Sequence, residues 1–223
     1  MLERRSDRDL KKRVLRELKW DSRISWASIN LDVSDAVVTL TGSVPTYAQK
    51  VAAQEAAHHV AGVLDVANDI EVKPLDGFSR SDTELARAVR SALEWDALVP
   101  DDQIQSTVSD GWVTLDGEVN YGRERIDAEK VIRRLTGVVG VINRITIRKQ
   151  AVNEEQLRIE IEEALETRAD RETERLRIEV HEGAVDLRGR VHSWQEKRAV
   201  LGSISHAPGV TQVRDHLRID PYF

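Results

Sequence analysis

The 223-residue chain carries 33 basic against 39 acidic side chains, a net charge of −6; this balance argues against a nucleic-acid binder and leaves room for local basic faces. It contains no cysteine, so disulfides, thiolate metal sites, a thiol nucleophile and a lipid-modified cysteine are ruled out. The start, Met-Leu-Glu-Arg-Arg-Ser-Asp-Arg-Asp, is charged with no apolar run behind it, so neither a secretory signal nor a transmembrane segment is expected, and the protein reads as cytoplasmic.

The first predicted element is a helix with Leu10, Val14 and Leu18 on one face, and it is written three times. Leu85, Val89 and Leu93 repeat it, as do Leu157, Ile161 and Leu165. Ser6 with Asp9, Ser81 with Glu84 and Asn153 with Gln156 precede these helices with the spacing of a capping box. A short alternating strand follows, Ile29, Leu31 and Val33 in the first unit, Ile104 and Val108 in the second, Leu176, Ile178 and Val180 in the third. Tight turns at Ser34-Asp35, Ser109-Asp110-Gly111 and His181-Glu182-Gly183 join it to an antiparallel partner. That partner is Val38, Leu40, Gly42 and Val44, repeated as Val113, Leu115, Gly117 and Val119 and as Val185, Leu187, Gly189 and Val191. Alternation by two marks a strand with one buried face, and glycine on that face predicts the close approach of a helix.

A second helix is expected from about Thr46 to Val60, burying Ala53, Ala57 and Val60, with Ala128, Ile132 and Leu135, and Val200, Ile204 and Ala207, as counterparts. Gly62, Gly137 and Gly209 follow near its end, where a left-handed residue stops a helix. Val66, Ile70 and Val72 close the unit as a third strand, parallel to the glycine strand through its crossover. The alternate strand positions, among them Asn30, Asp32, Thr39 and Thr41, are polar, so one sheet face meets water and both helices cover the other. The fold class is α+β: three tandem α-β-β-α-β modules at 7–74, 82–149 and 154–219, each a three-stranded mixed sheet with two helices on one face. Short linkers predict that the modules pack on one another.

The repeated strand, followed by Gly62, Val63, Val66 and Asn68, or by Gly137, Val138, Val141 and Asn143, resembles the BON domain, named for bacterial osmotically inducible and nodulation proteins. In the third unit Gly209, Val210 and Val213 hold, and Asp215 replaces the asparagine. The resemblance covers nearly all of residues 7–219. It implies phospholipid binding or a role at the cell envelope under osmotic stress, no catalytic centre, no cofactor, and the periplasm as an alternative location.

No catalytic, phosphate-loop, zinc or calcium motif is present. His58 and His59 are adjacent and share no helical face, and with His206 they read as ordinary residues near a helix end rather than a metal site. Trp20 and Trp95 occupy equivalent places at the end of the first helix, where they cover the core edge or enter a membrane. Trp112 sits on the polar sheet face and is expected to pack between units. Arg8, Lys12, Arg16 and Lys19 form a basic stripe on the first helix, whereas the third unit's equivalent helix carries Glu155, Glu162, Glu163 and Glu166 with Ile159 among them. The basic stripe fits an anionic phospholipid surface. The two stripes together fit a protein partner or homo-oligomer, or a compact ring closed by their pairing. The sequence thus supports a non-enzymatic lipid-binding or stress-associated scaffold, with a self-associating structural module as the alternative.

Overall fold

The computed structural model describes residues 7–75, 80–149, 153–168 and 176–220. Module 1 runs α1 (Asp7–Trp20), a 3-10 turn (Trp26–Ser28), β1 (Ile29–Ser34), β2 (Val37–Val44), α2 (Tyr47–His59) and β3 (Asp65–Val72). Module 2 repeats it with α3 (Asp82–Trp95), a 3-10 turn (Asp101–Gln103), β4 (Ile104–Ser109), β5 (Trp112–Val119), α4 (Gly122–Ile132) and a third strand split into β6 (Gly140–Asn143) and β7 (Thr146–Ile147). Module 3 has α5 (Glu154–Arg168), β8 (Arg177–His181), β9 (Ala184–Val191), α6 (Trp194–Ser205) and β10 (Gln212–Ile219). The glycine strand is central in each sheet, antiparallel to its hairpin partner and parallel to the strand after the second helix.

Alternation puts Val38, Leu40 and Val44 under the helices while Thr39 and Thr41 face outward. Leu10, Val14 and Leu18 of α1 and Ala53 and Ala57 of α2 meet them in one buried cluster. The other two modules have equivalent clusters around Leu115 and Leu187. Ser81 and Glu84 form the expected capping box, and Asn153 accepts from the Gln156 amide; Ser6 lies outside the described residues.

One recurring tie was not read from the sequence. The first acid of each leading helix reaches the hairpin turn: Asp7 accepts from the Asp35 and Ala36 amides, Asp82 from those of Asp110 and Gly111, and Glu154 from that of Glu182. These turns hold their central residues at positive φ, which exposes two amides to one carboxylate. Asp82→Ala should leave both amides of its turn without that acceptor and destabilise module 2 by about 1–2 kcal/mol, measured as a drop in the urea midpoint.

Two glycine readings are corrected. Gly42 has φ +109°, and a Cβ there would lie 2.1 Å from the Ser28 carbonyl oxygen; at Gly117, φ +151°, the clash is with the Gln103 oxygen at 2.2 Å. What approaches the glycine strand is therefore the 3-10 turn ahead of the first strand, not a helix. Gly62, Gly137 and Gly209 do not cap the helix either. The amides of Val63, Val138 and Val210 return to the carbonyls of Val60, Leu135 and Ala207, which makes each glycine the third residue of a turn needing φ > 0. Pro208 beside Gly209 completes that turn chemistry.

The Asn-to-Asp change in module 3 has a physical account. Asn68 and Asn143 donate to the main-chain carbonyls of Lys50 and Arg125, and accept from the Ile70 and Ile145 amides. Asp215 keeps only the acceptor half, taking the Leu217 amide. It cannot donate to a carbonyl, and the Lys197 ammonium fills that side at 2.7 Å.

Candidate functional site

Two surfaces are candidates for a functional site. The first is the end of the leading helices. Trp20 and Trp95 are each 86% exposed, so neither covers the core edge as one sequence reading had it. Each ends its helix two positions after a buried leucine, Leu18 or Leu93, and so faces away from the core. Arg8, Lys12, Arg16 and Lys19 are all exposed on α1. Lys12 pairs with Asp9 at 3.5 Å, and the Lys19 ammonium lies 4.3 Å above the Trp26 ring.

The second surface is internal, where the modules meet through their second helices. Tyr47, the first residue of α2, packs into the core of module 2. Burial there, and then the Glu129 carboxylate, push its phenol pKa up, while its hydroxyl meets the Val141 main chain. Trp194, the first residue of α6, stacks on His58 with ring centroids 4.1 Å apart, and its indole N–H donates to the Leu64 carbonyl at 3.0 Å. Gly122, the first residue of α4, lies so close to module 3 that a Cβ would stand 2.4 Å from the Ser205 oxygen.

Tyr47, Gly122 and Trp194 are one position in the repeat, and His58, Arg133 and Ser205 are another. Module 1 thus presents to module 2, module 2 to module 3, and module 3 back to module 1. A head-to-tail contact that closes after three steps makes a ring. Glu55 on α2 gathers its charges: Arg133 of module 2 lies 3.8 Å from its carboxylate, Arg23 3.5 Å, and Arg198 of module 3 donates to its carbonyl at 3.5 Å. This closure covers His58 with the Trp194 ring, whereas Ala52, Ala53, Ala56 and Ala57 belong to the core of module 1 itself. His58 is 8% exposed and, among the described residues, its Nε2 has no hydrogen-bond partner.

Against known proteins, the BON domain model matches residues 6–74, 81–149 and 153–221. The chain belongs to the BON domain family. It carries three tandem BON domains, as the resemblance implied. It is 29% identical over 125 residues to Osmotically-inducible protein Y of Escherichia coli (strain K12), a match spanning 54% of this chain and 62% of that protein. Among solved structures, CdsD, a structural protein of the type III secretion system of Chlamydia trachomatis, shares 10% identity over 95% of this chain and 92% of that one, with a TM-score of 0.28. The CdsD C-terminal domain shares 12% identity over 97% of this chain and all of that one, with a TM-score of 0.27.

The BON modules distribute the remaining sequence-derived residues unevenly. The Trp112 ring lies over Gly140, its partner across the parallel ladder, so the contact observed for it is inside module 2. On α5, Arg158 is held between Glu155 at 2.6 Å and Glu162 at 2.5 Å, and the two carboxylates raise its pKa. Two members of the acidic stripe are therefore neutralised within their own helix. Glu163 and Ile159 are exposed on the same helix, and the Glu166 side chain lies outside the described residues. Ring closure runs through the second helices rather than through pairing of the two stripes. Among the described residues no helix is long and apolar enough to cross a membrane, and no cluster of His, Asp or Glu is placed to hold a metal.

Proposed function

We propose that this BON-repeat protein is a scaffold that docks on anionic phospholipid through the ends of α1 and α3. The observation that carries the reading is the pair Trp20 and Trp95, each 86% exposed at equivalent positions. In a ring closed by one repeated contact, equivalent residues stand at the same height along the ring axis, so both indoles can meet one planar surface. Two indoles on one face can enter the headgroup layer together, where their amphipathic rings are most stable. The basic stripe on α1 adds attraction to anionic headgroups of about 1 kcal/mol per cation, screened beyond a Debye length of roughly 8 Å. The name of the Escherichia coli relative, Osmotically-inducible protein Y, supports placing this role in the response to osmotic stress. Self-association through the acidic helix receives less support, because Arg158 already engages Glu155 and Glu162.

Vesicle co-sedimentation tests the reading. Wild type should pellet with vesicles containing phosphatidylglycerol and remain in solution with phosphatidylcholine alone. The double variant Trp20→Ala/Trp95→Ala should lose most of that binding without a change in thermal midpoint, and Arg16→Glu/Lys19→Glu should make it fall further as charge is reversed. Equal pelleting of wild type and both variants would overturn the proposal.

A further inference from the structure

The three junctions of the ring are built alike but filled differently. At each, the receiving wall is the end of a second helix and the turn into the next strand. The main chain of that wall is the same in all three: the amides of Leu64, Val139 and Thr211 donate to the carbonyls of Ala36, Gly111 and Gly183 at 2.9, 2.9 and 2.8 Å. Module 1 sends Tyr47 into the wall of module 2, and module 3 sends Trp194 into the wall of module 1. Module 2 sends Gly122, which has no side chain to send.

What remains between modules 2 and 3 is a cleft of about 270 Å³. Ile126 and Ile147 line it from module 2 beside the polar Arg125, Glu129 and Asn143, and Ser205, Thr211 and Val213 line it from module 3. Ser205 stands where His58 supports the Trp194 ring, and Thr211 stands where Leu64 offers its carbonyl to the indole N–H. The volume lies just below the range of drug-sized pockets, so it suits a single ring system rather than an extended ligand.

We propose that this cleft is an open aromatic seat that takes a tryptophan or tyrosine side chain presented by a partner protein. The two equivalent seats define the chemistry of the occupant: a flat ring with a polar edge, packed among apolar side chains at Tyr47 and stacked on the His58 imidazole at Trp194, with a main-chain group at the polar edge in both. They also define its source, because the seat continues an interface that binds a protein side chain at both other junctions. Gly122 puts no side chain into it. The closeness of Ser205 to Gly122 leaves no room for a side chain at that position, so the ring has to come from outside the chain's own repeat. The inference does not rest on the membrane reading, since the cleft is at a junction and the exposed indoles are at the ends of α1 and α3.

The test uses the full chain, labelled for amide NMR and titrated with a capped Gly-Trp-Gly peptide. The amides of Ser205, Thr211, Gln212 and Val213 should shift saturably at ~millimolar peptide, as befits one side chain without a presenting scaffold. A capped Gly-Leu-Gly peptide should bind at least ~10-fold more weakly, because it lacks the ring and the polar edge. Ile126→Trp fills the cleft from the module 2 side and should abolish the shifts while leaving the remaining spectrum in place. Trp194→Gly opens a second seat and should add peptide-dependent shifts at His58 and Leu64. Absence of shifts at the module 3 wall, or shifts unaltered by Ile126→Trp, overturns the proposal. So do shifts of these amides that grow with protein concentration alone and vanish in Trp20→Ala/Trp95→Ala, because the occupant is then a second copy of this chain.

Discussion

Gly42→Ala should unfold module 1. The new methyl would lie 2.1 Å from the Ser28 carbonyl oxygen, an atom of the main chain that cannot rotate away, at a φ of +109° that side chains rarely adopt. Backbone strain and overpacking each cost about 1–3 kcal/mol, so the combined loss is roughly 2–5 kcal/mol. For a module of this size that is a large part of its whole stability. Gly202→Ala supplies the contrast. Gly202 lies within α6, with nothing within 4 Å of its added Cβ, and alanine there should stabilise the helix by about 0.5–1 kcal/mol. Urea unfolding of the two variants decides the matter: a Gly42→Ala protein with the wild-type midpoint would show that the 3-10 turn yields at no cost.

Acid should open the ring at the junction of modules 1 and 3. Burial is the main cause that lowers the His58 pKa from 6.5 to about 4; the Arg198 guanidinium on α6 and neighbouring His59 also lower it, and Asp65 at the start of β3 opposes them. The closed junction therefore binds a proton less readily than the open one. Its full stability is present above the ordinary imidazole pKa of 6.5 and is lost as pH falls through about 4. From those two values the junction should be about 2 kcal/mol weaker near pH 5 than near pH 8, approaching ~3 kcal/mol below pH 4. Trp194 leaves its stack when the imidazole charges, because a protonated ring with no partner for Nε2 cannot stay buried. Small-angle scattering should show a larger radius of gyration near pH 5 for wild type and no change for His58→Phe, whose ring keeps the stack without the charge. A radius that grows equally in both proteins would assign the opening to other groups.

The module count, the order of elements and the buried face of every strand were legible in the residues themselves. Val38, Leu40 and Val44 with their repeats impose a two-residue period, Leu10, Val14 and Leu18 a helical one, and both are local properties of a chain that must bury one face. The BON resemblance lay in the same local signals, the glycines and the Gly-Val turns. The staple from Asp7, Asp82 and Glu154 to the hairpin turns was also within reach, since an acid recurs at one register, but it reads equally as an ordinary first-turn helix residue.

Tertiary structure alone decided what approaches Gly42, because a glycine on a strand records that something is near and not which element it is. It alone decided the ring. His58 looks like helix surface, and its cover is the Trp194 ring of a module distant in sequence. Tyr47, Gly122 and Trp194 share a register, but an aromatic, a glycine and another aromatic form no pattern until the junctions bring each against its neighbour. Local periodicity specifies which face of a module is buried inside it. Contacts between modules bury a few residues of otherwise polar surface, too few and too dispersed to leave a period in the sequence.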